Sequence, residues 1–195
     1  MYMSDMVQTN KKRWLEGMGT PVKKLILNQF GAAMLGIMLS SAAMQSRLLN
    51  FLTSLLAIFF YLFLQYTAIW ETGAKDRIRV DGGRAAENKQ RGLYAAILAN
   101  SPNILFAVLI IVLTTVGVLT QWSWAGEGAV IFTFIARLWQ GMYNGVVVFV
   151  VGDVQTIPDT FIYLAIILPS LIANTIGYRM GYMNRRIFPE RKKKD

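Results

Sequence analysis

Two stretches near the start of the chain, Leu25 to Ser46 and Leu48 to Trp70, contain no charged residue. At about 1.5 Å rise per residue, either one coiled as a helix covers the ~30 Å hydrocarbon thickness of a bilayer. A composition of 54% hydrophobic residues, with a mean hydropathy of +0.40, leaves too little polar side chain to clothe an ordinary water-facing surface. The expected fold is therefore all-α, a polytopic helical integral membrane protein.

The segment that follows is the opposite in character. From Glu71 to Arg91 the chain reads ETGAKDRIRVDGGRAAENKQR, with six Lys or Arg and four Asp or Glu. Charge that dense between apolar runs marks a water-side connector. Gly82 and Gly83 predict a turn, and Ala85 to Asn100 predicts a short surface helix with Leu93, Tyr94, Ile97 and Leu98 on one side. The phosphate-loop patterns GxxxxGK[ST] and GxGxxG are absent, and the acids alternate with bases, so a structural or docking loop is expected in preference to a catalytic one.

The remaining segments fall into place around these. Residues 1–20, with Lys11, Lys12, Arg13 and Trp14, read as a basic cytoplasmic tail and not a secretory signal. Thr20 and Pro21 predict the start of a transmembrane hairpin over 21–70, with a very short turn at Arg47 and Trp70 at the interface. Ala32, Gly36 and Ser40 form a small-residue ridge suited to helix packing. The connector covers 71–101. Ser101 and Pro102 predict the next start, and a membrane bundle occupies 102–178: a span over 102–120, a segment over 129–151 and a span over 160–178 kinked at Pro169. The tail 179–195 carries seven basic residues between Arg179 and Lys194.

Arg137 demands separate treatment. It lies inside an apolar run, where a guanidinium costs ~2.5 to 3.5 kcal/mol to insert. Thr133, Arg137, Gln140, Gly141, Asn144 and Gly145 follow helical spacing and form one polar, small-residue stripe. Ser170, Asn174, Gly177 and Gly181 form a second, expected to meet the first. Arg137, Gln140, Asn144 and Asn174 are thus the candidate binding residues. The preferred reading is structural, with Arg137 snorkelling toward the interface or bonded to carbonyls of a neighbouring helix while Gly141 and Gly145 permit tight packing. The functional reading makes it the counter-charge for an anion.

Five crossings would put two strongly basic tails on opposite sides. The 129–151 segment, flanked by connectors without Lys or Arg, is the one expected not to cross. Four full spans plus one re-entrant or interfacial segment result, with both termini cytoplasmic at the cell membrane. Five continuous spans are the alternative.

Cys and His are absent from the sequence, which removes disulfides, thiolates, imidazole bases and most transition-metal sites. No cofactor or metal is expected. The net charge of +9 lies beside apolar segments and outside any nucleic-acid-binding motif, so it points to anionic lipid headgroups and not to nucleic acid. The expected function is a non-enzymatic accessory or structural subunit of a membrane complex, oligomerising through its small-residue ridges. A small transporter or channel for an anionic solute or lipid is the alternative.

Overall fold

The structure is a computed structural model and describes residues 17–88, 90–152 and 156–185. Most of both basic tails, and Asp153 in the last connector, lie outside the described residues. Helix accounts for the architecture, and no strand occurs among the described residues.

Helices α1 (Gly19–Ala42) and α2 (Arg47–Asp81) form the expected hairpin. Ser46 caps α2 by accepting from the Leu49 amide. Antiparallel register is fixed by polar contacts spread along the pair: Ser40 Oγ to Asn50 Oδ1 at 2.9 Å, Gln65 Nε2 to Leu25 O at 3.0 Å and Lys24 Nζ to Glu71 at 2.9 Å. The start of α1 therefore lies at the end of α2. The sequence places the cap at Thr20, but the helix begins two residues earlier and its N-cap, Met18, makes no side-chain bond.

The connector is more helical than its charge suggested. α2 continues without a break for eleven residues past Trp70, because nothing in Glu71–Asp81 interrupts a helix and the i,i+4 pairs Glu71–Lys75 (2.6 Å) and Arg77–Asp81 (2.7 Å) fit it. Gly82 ends it, and Gly83 takes a positive φ of 67° in the turn. The surface helix is shorter than expected: α3 spans Arg91–Ala99. Its buried face is the small one, Gly92, Ala95, Ala96 and Ala99, while Leu93, Tyr94, Ile97 and Leu98 face outward. A Cβ at Gly92 would collide with Tyr178, so the missing side chain is what lets α3 seat against the last helix.

α4 (Ser101–Thr120) carries Pro102 in its first turn, as expected, but Ser101 Oγ turns back to Leu98 O instead of capping. α4 pairs with α5 (Ser123–Trp139). At Gln140 the chain breaks into a single 3-10 turn, Gly141–Tyr143, and resumes as α6 (Asn144–Val151), bent by 93° from α5. The break lies in the Gln140–Gly145 window that the sequence marked. Gly141 rests on the Ala33 carbonyl and Ile37, and Gly145 on the Asn50 carbonyl, approaches that any Cβ would obstruct.

The final span opens with a 3-10 turn, Pro158–Phe161, and a short helix α7 (Ile162–Ala165), then restarts as α8 (Leu168–Tyr182). Pro169 falls in the first turn of the restarted helix, where its missing N–H costs nothing, so the interruption comes at Ile166 and Ile167, just before it. α8 packs along α2, with Gly181 against the Trp70 carbonyl and Gly73 against the Tyr178 carbonyl.

Four segments are long and apolar enough to cross a membrane: Gly19–Ala42, Arg47–Asp81, Ser101–Thr120 and Pro158–Tyr182. The bent α5–α6 pair qualifies only when taken together. Side chains are distributed accordingly. Leu52, Leu56, Phe59, Leu105, Ile131 and Phe134 face outward, while Gln29, Gln65, Asn100, Asn103, Ser170 and Asn174 are buried. That is the reverse of a soluble domain.

Candidate functional site

Three polar constellations lie inside this frame. The first is built on Arg137. Its position on α5, four residues after Thr133 and one turn before the break, leaves the guanidinium half-buried, with Nε 3.4 Å from the hydroxyl of Tyr163 on α7. That is a long, weak bond for a charged donor. In the same segment, Thr133 Oγ1, Gln140 Oε1 and the Tyr143 hydroxyl are buried and have no hydrogen-bond partner among the described residues. Gln140 is buried and Asn144 half-buried.

Asn174 does not belong to that set. It lies eleven residues beyond Tyr163, roughly 16 Å further along the same span, and gives its Nδ2 to Ser170 O at 2.8 Å. The two stripes read from the sequence therefore do not form one site. Gly141 and Gly145 face α1 and α2, while Gly177 and Gly181 face α2. The Ala32–Gly36 ridge is likewise consumed within the chain, Gly36 lying against the Met142 backbone.

Asn174 instead joins a mid-bundle relay of amides and hydroxyls. Gln29 Nε2 donates to Asn103 Oδ1 (2.7 Å), Asn103 Nδ2 to Asn100 Oδ1 (2.8 Å), and Asn100 Nδ2 reaches Ser170 Oγ (3.2 Å), which also accepts from the Tyr61 hydroxyl (3.1 Å). Four helices, α1, α2, α4 and α8, are tied together at one depth. Carboxamides and hydroxyls do not ionise near neutral pH, so this relay joins helices by hydrogen bonds between uncharged groups.

The third constellation is the one sequence reasoning missed. Where α2 ends, α3 begins and α8 ends, the carboxylate of Asp76 is 7% exposed and Arg91 13%. Arg91 Nη1 donates to Asp76 Oδ1 at 2.8 Å and Nη2 to Gly17 O at 2.7 Å, and the Tyr178 hydroxyl donates to Asp76 Oδ2 at 3.1 Å. Both members of this buried pair are thus bonded beyond each other, the condition under which such a pair holds. Beside it opens a cavity of about 530 Å³, lined among others by Arg79, Arg84, Asn88, Arg91, Tyr178 and Tyr182. The signal lay in the spacing: Tyr61, Gln65, Ile69, Gly73 and Asp76 continue one buried stripe of α2. Reading Glu71 as the end of the helix hid it.

The chain matches no protein-family model, no curated protein and no solved structure. Its function must be argued from these side chains.

Proposed function

We propose that this chain is a multi-pass integral membrane protein without enzymatic activity, an accessory or structural subunit of a membrane complex. Four helices cross the bilayer, the α5–α6 pair dips in and returns, and both ends are cytoplasmic. The observation that carries the reading is the segregation of charge. Among the described residues, Lys23, Lys24, Lys75, Arg77, Arg79, Arg84, Arg91, Arg179 and Arg185 all belong to the end where α1 starts, α2 ends and α8 ends. At the opposite end stands Arg47. Such asymmetry about apolar helices follows the bias that sets membrane orientation.

Contacts of the bent pair support the re-entrant arrangement. α4 starts beside Gln29 and Ser170 and runs past α7 and the Pro158–Phe161 turn, toward the Arg47 end, so α5 sets out from there. Its apex reaches Ala33, halfway along α1. α6 then finishes at Arg47, whose Nη2 takes the Val148 and Phe149 carbonyls at 3.1 Å each. Irregular backbone at membrane depth is stable when protein covers it, and Gly141 and Met142 are covered by α1.

A second reading, binding of an anionic solute or lipid at Arg137, is favoured by its one long bond among the described residues and by the unpartnered Thr133 Oγ1 one helical turn before it. Arg137→Gln separates the two. Normal expression with lost uptake or binding of an anion supports the second reading. Lost expression, or lost co-purification of a membrane partner, supports the first.

A further inference from the structure

We infer that the cavity between the ends of α2, α3 and α8 is a binding site for a phosphate-bearing anion, either the headgroup of an anionic phospholipid or a small phosphate ester. Three guanidiniums line it, from Arg79, Arg84 and Arg91, against two carboxylates, Asp76 and Glu87. The Asp76 charge is spent, buried under Arg91 and the Tyr178 hydroxyl. The basic groups are not spent to the same degree. Arg79 is 56% exposed and only 3.8 Å from Asp76, a loose contact, and the Arg84 side chain has no ion-pair or hydrogen-bond partner among the described residues. Arg91 uses both terminal nitrogens, yet its Nε is buried with no partner among the described residues. A buried donor beside two underused guanidiniums calls for oxygens, and phosphate supplies several in a geometry that guanidinium forks match.

The size of the site suits the same class. About 530 Å³ exceeds what an inorganic ion needs and accommodates a glycerophosphate headgroup or a small phosphate ester. Tyr178 and Tyr182 stand on the wall with rings 6.4 Å apart, giving one apolar flank for a glyceryl or similar carbon group. The cavity opens a little beyond Trp70, where the apolar run of α2 ends, which is the depth of headgroups under the orientation proposed above. Only the choice of a lipid source rests on that orientation.

The test uses the full chain, purified in a non-ionic detergent and stripped of lipid, titrated separately with phosphatidylglycerol and with glycerol 3-phosphate while bound species are counted by native mass spectrometry. One equivalent should bind, and Arg79→Gln/Arg84→Gln should weaken it about tenfold or more, the weight of one charge-assisted bond at roughly 1.4 kcal/mol per decade. Arg179→Gln, outside the cavity, should leave it unchanged. Arg84→Gln alone repeats the measurement at a side chain with no hydrogen bond or ion pair among the described residues, so a folding defect in the double variant does not decide the matter. Binding of the lipid alone identifies a headgroup site, and binding of glycerol 3-phosphate a solute site; either supports the inference. Failure of both probes to bind one to one, or equal weakening by Arg179→Gln, overturns it. The glycerol 3-phosphate titration needs no bilayer, so its result stands apart from that of the topology experiment.

Discussion

Arg137 and Asp76 are two charged residues drawn into the fold, and their environments differ. Arg137 announces itself in the sequence because it interrupts an apolar run, yet among the described residues its bond is a 3.4 Å contact to Tyr163. Asp76 is hidden among nine other charges of the connector, yet it is buried and bonded on both oxygens. The expected outcome for Asp76→Asn is a loss of about 3 to 5 kcal/mol, because Arg91 keeps its charge and loses its counter-ion. Replacing both, as Asp76→Asn/Arg91→Gln, should cost less than Asp76→Asn alone. A thermal-unfolding double-mutant cycle in detergent measures this. Additive losses would mean that the two groups do not act as a pair.

At the scale of elements, apolar periodicity and proline position were enough to locate α1, α4 and the last span, and the run of small and amide residues from Gln140 to Gly145 was enough to locate the break. What could not be read was how far helix persists once apolar residues stop. Charge density was taken as loop, but a helix ends at a breaker, and none occurs before Gly82. The partners of small residues were also hidden, since a ridge says that something approaches closely and not what. The structure assigns those approaches to the chain's own helices. Gly145→Ala should therefore lower stability by roughly 1 to 3 kcal/mol, as its methyl meets the Asn50 carbonyl and pushes α6 off α2. Gly31→Ala, in the neighbouring helix with open space at its Cβ, should leave stability unchanged or slightly raised. Melting temperatures of the two variants check the contrast. Within the mid-bundle relay, Gln29→Leu strands the buried Asn103 Oδ1 and should lower the melting temperature.

For the whole molecule, the proposed arrangement makes a prediction that five crossings cannot reproduce. The absence of thiols means that single Cys residues report without background. Ala85, in the turn after α2, Ser123, at the start of α5, and Thr156, ahead of the last span, are all exposed. If the α5–α6 pair enters and leaves through one face, Ser123→Cys and Thr156→Cys react with an impermeant maleimide added to intact cells, and Ala85→Cys and Asp195→Cys react only after lysis. A straight crossing puts Ser123 and Thr156 on opposite faces, so one of the two would stay protected. The 93° bend decides how these outcomes bear on the fold. A straight crossing would need the bend to open, drawing the apex glycines away from Ala33 and Asn50. The re-entrant arrangement proposed above keeps both approaches and leaves α6 ending beside Arg47, whose guanidinium donates to the Val148 and Phe149 carbonyls.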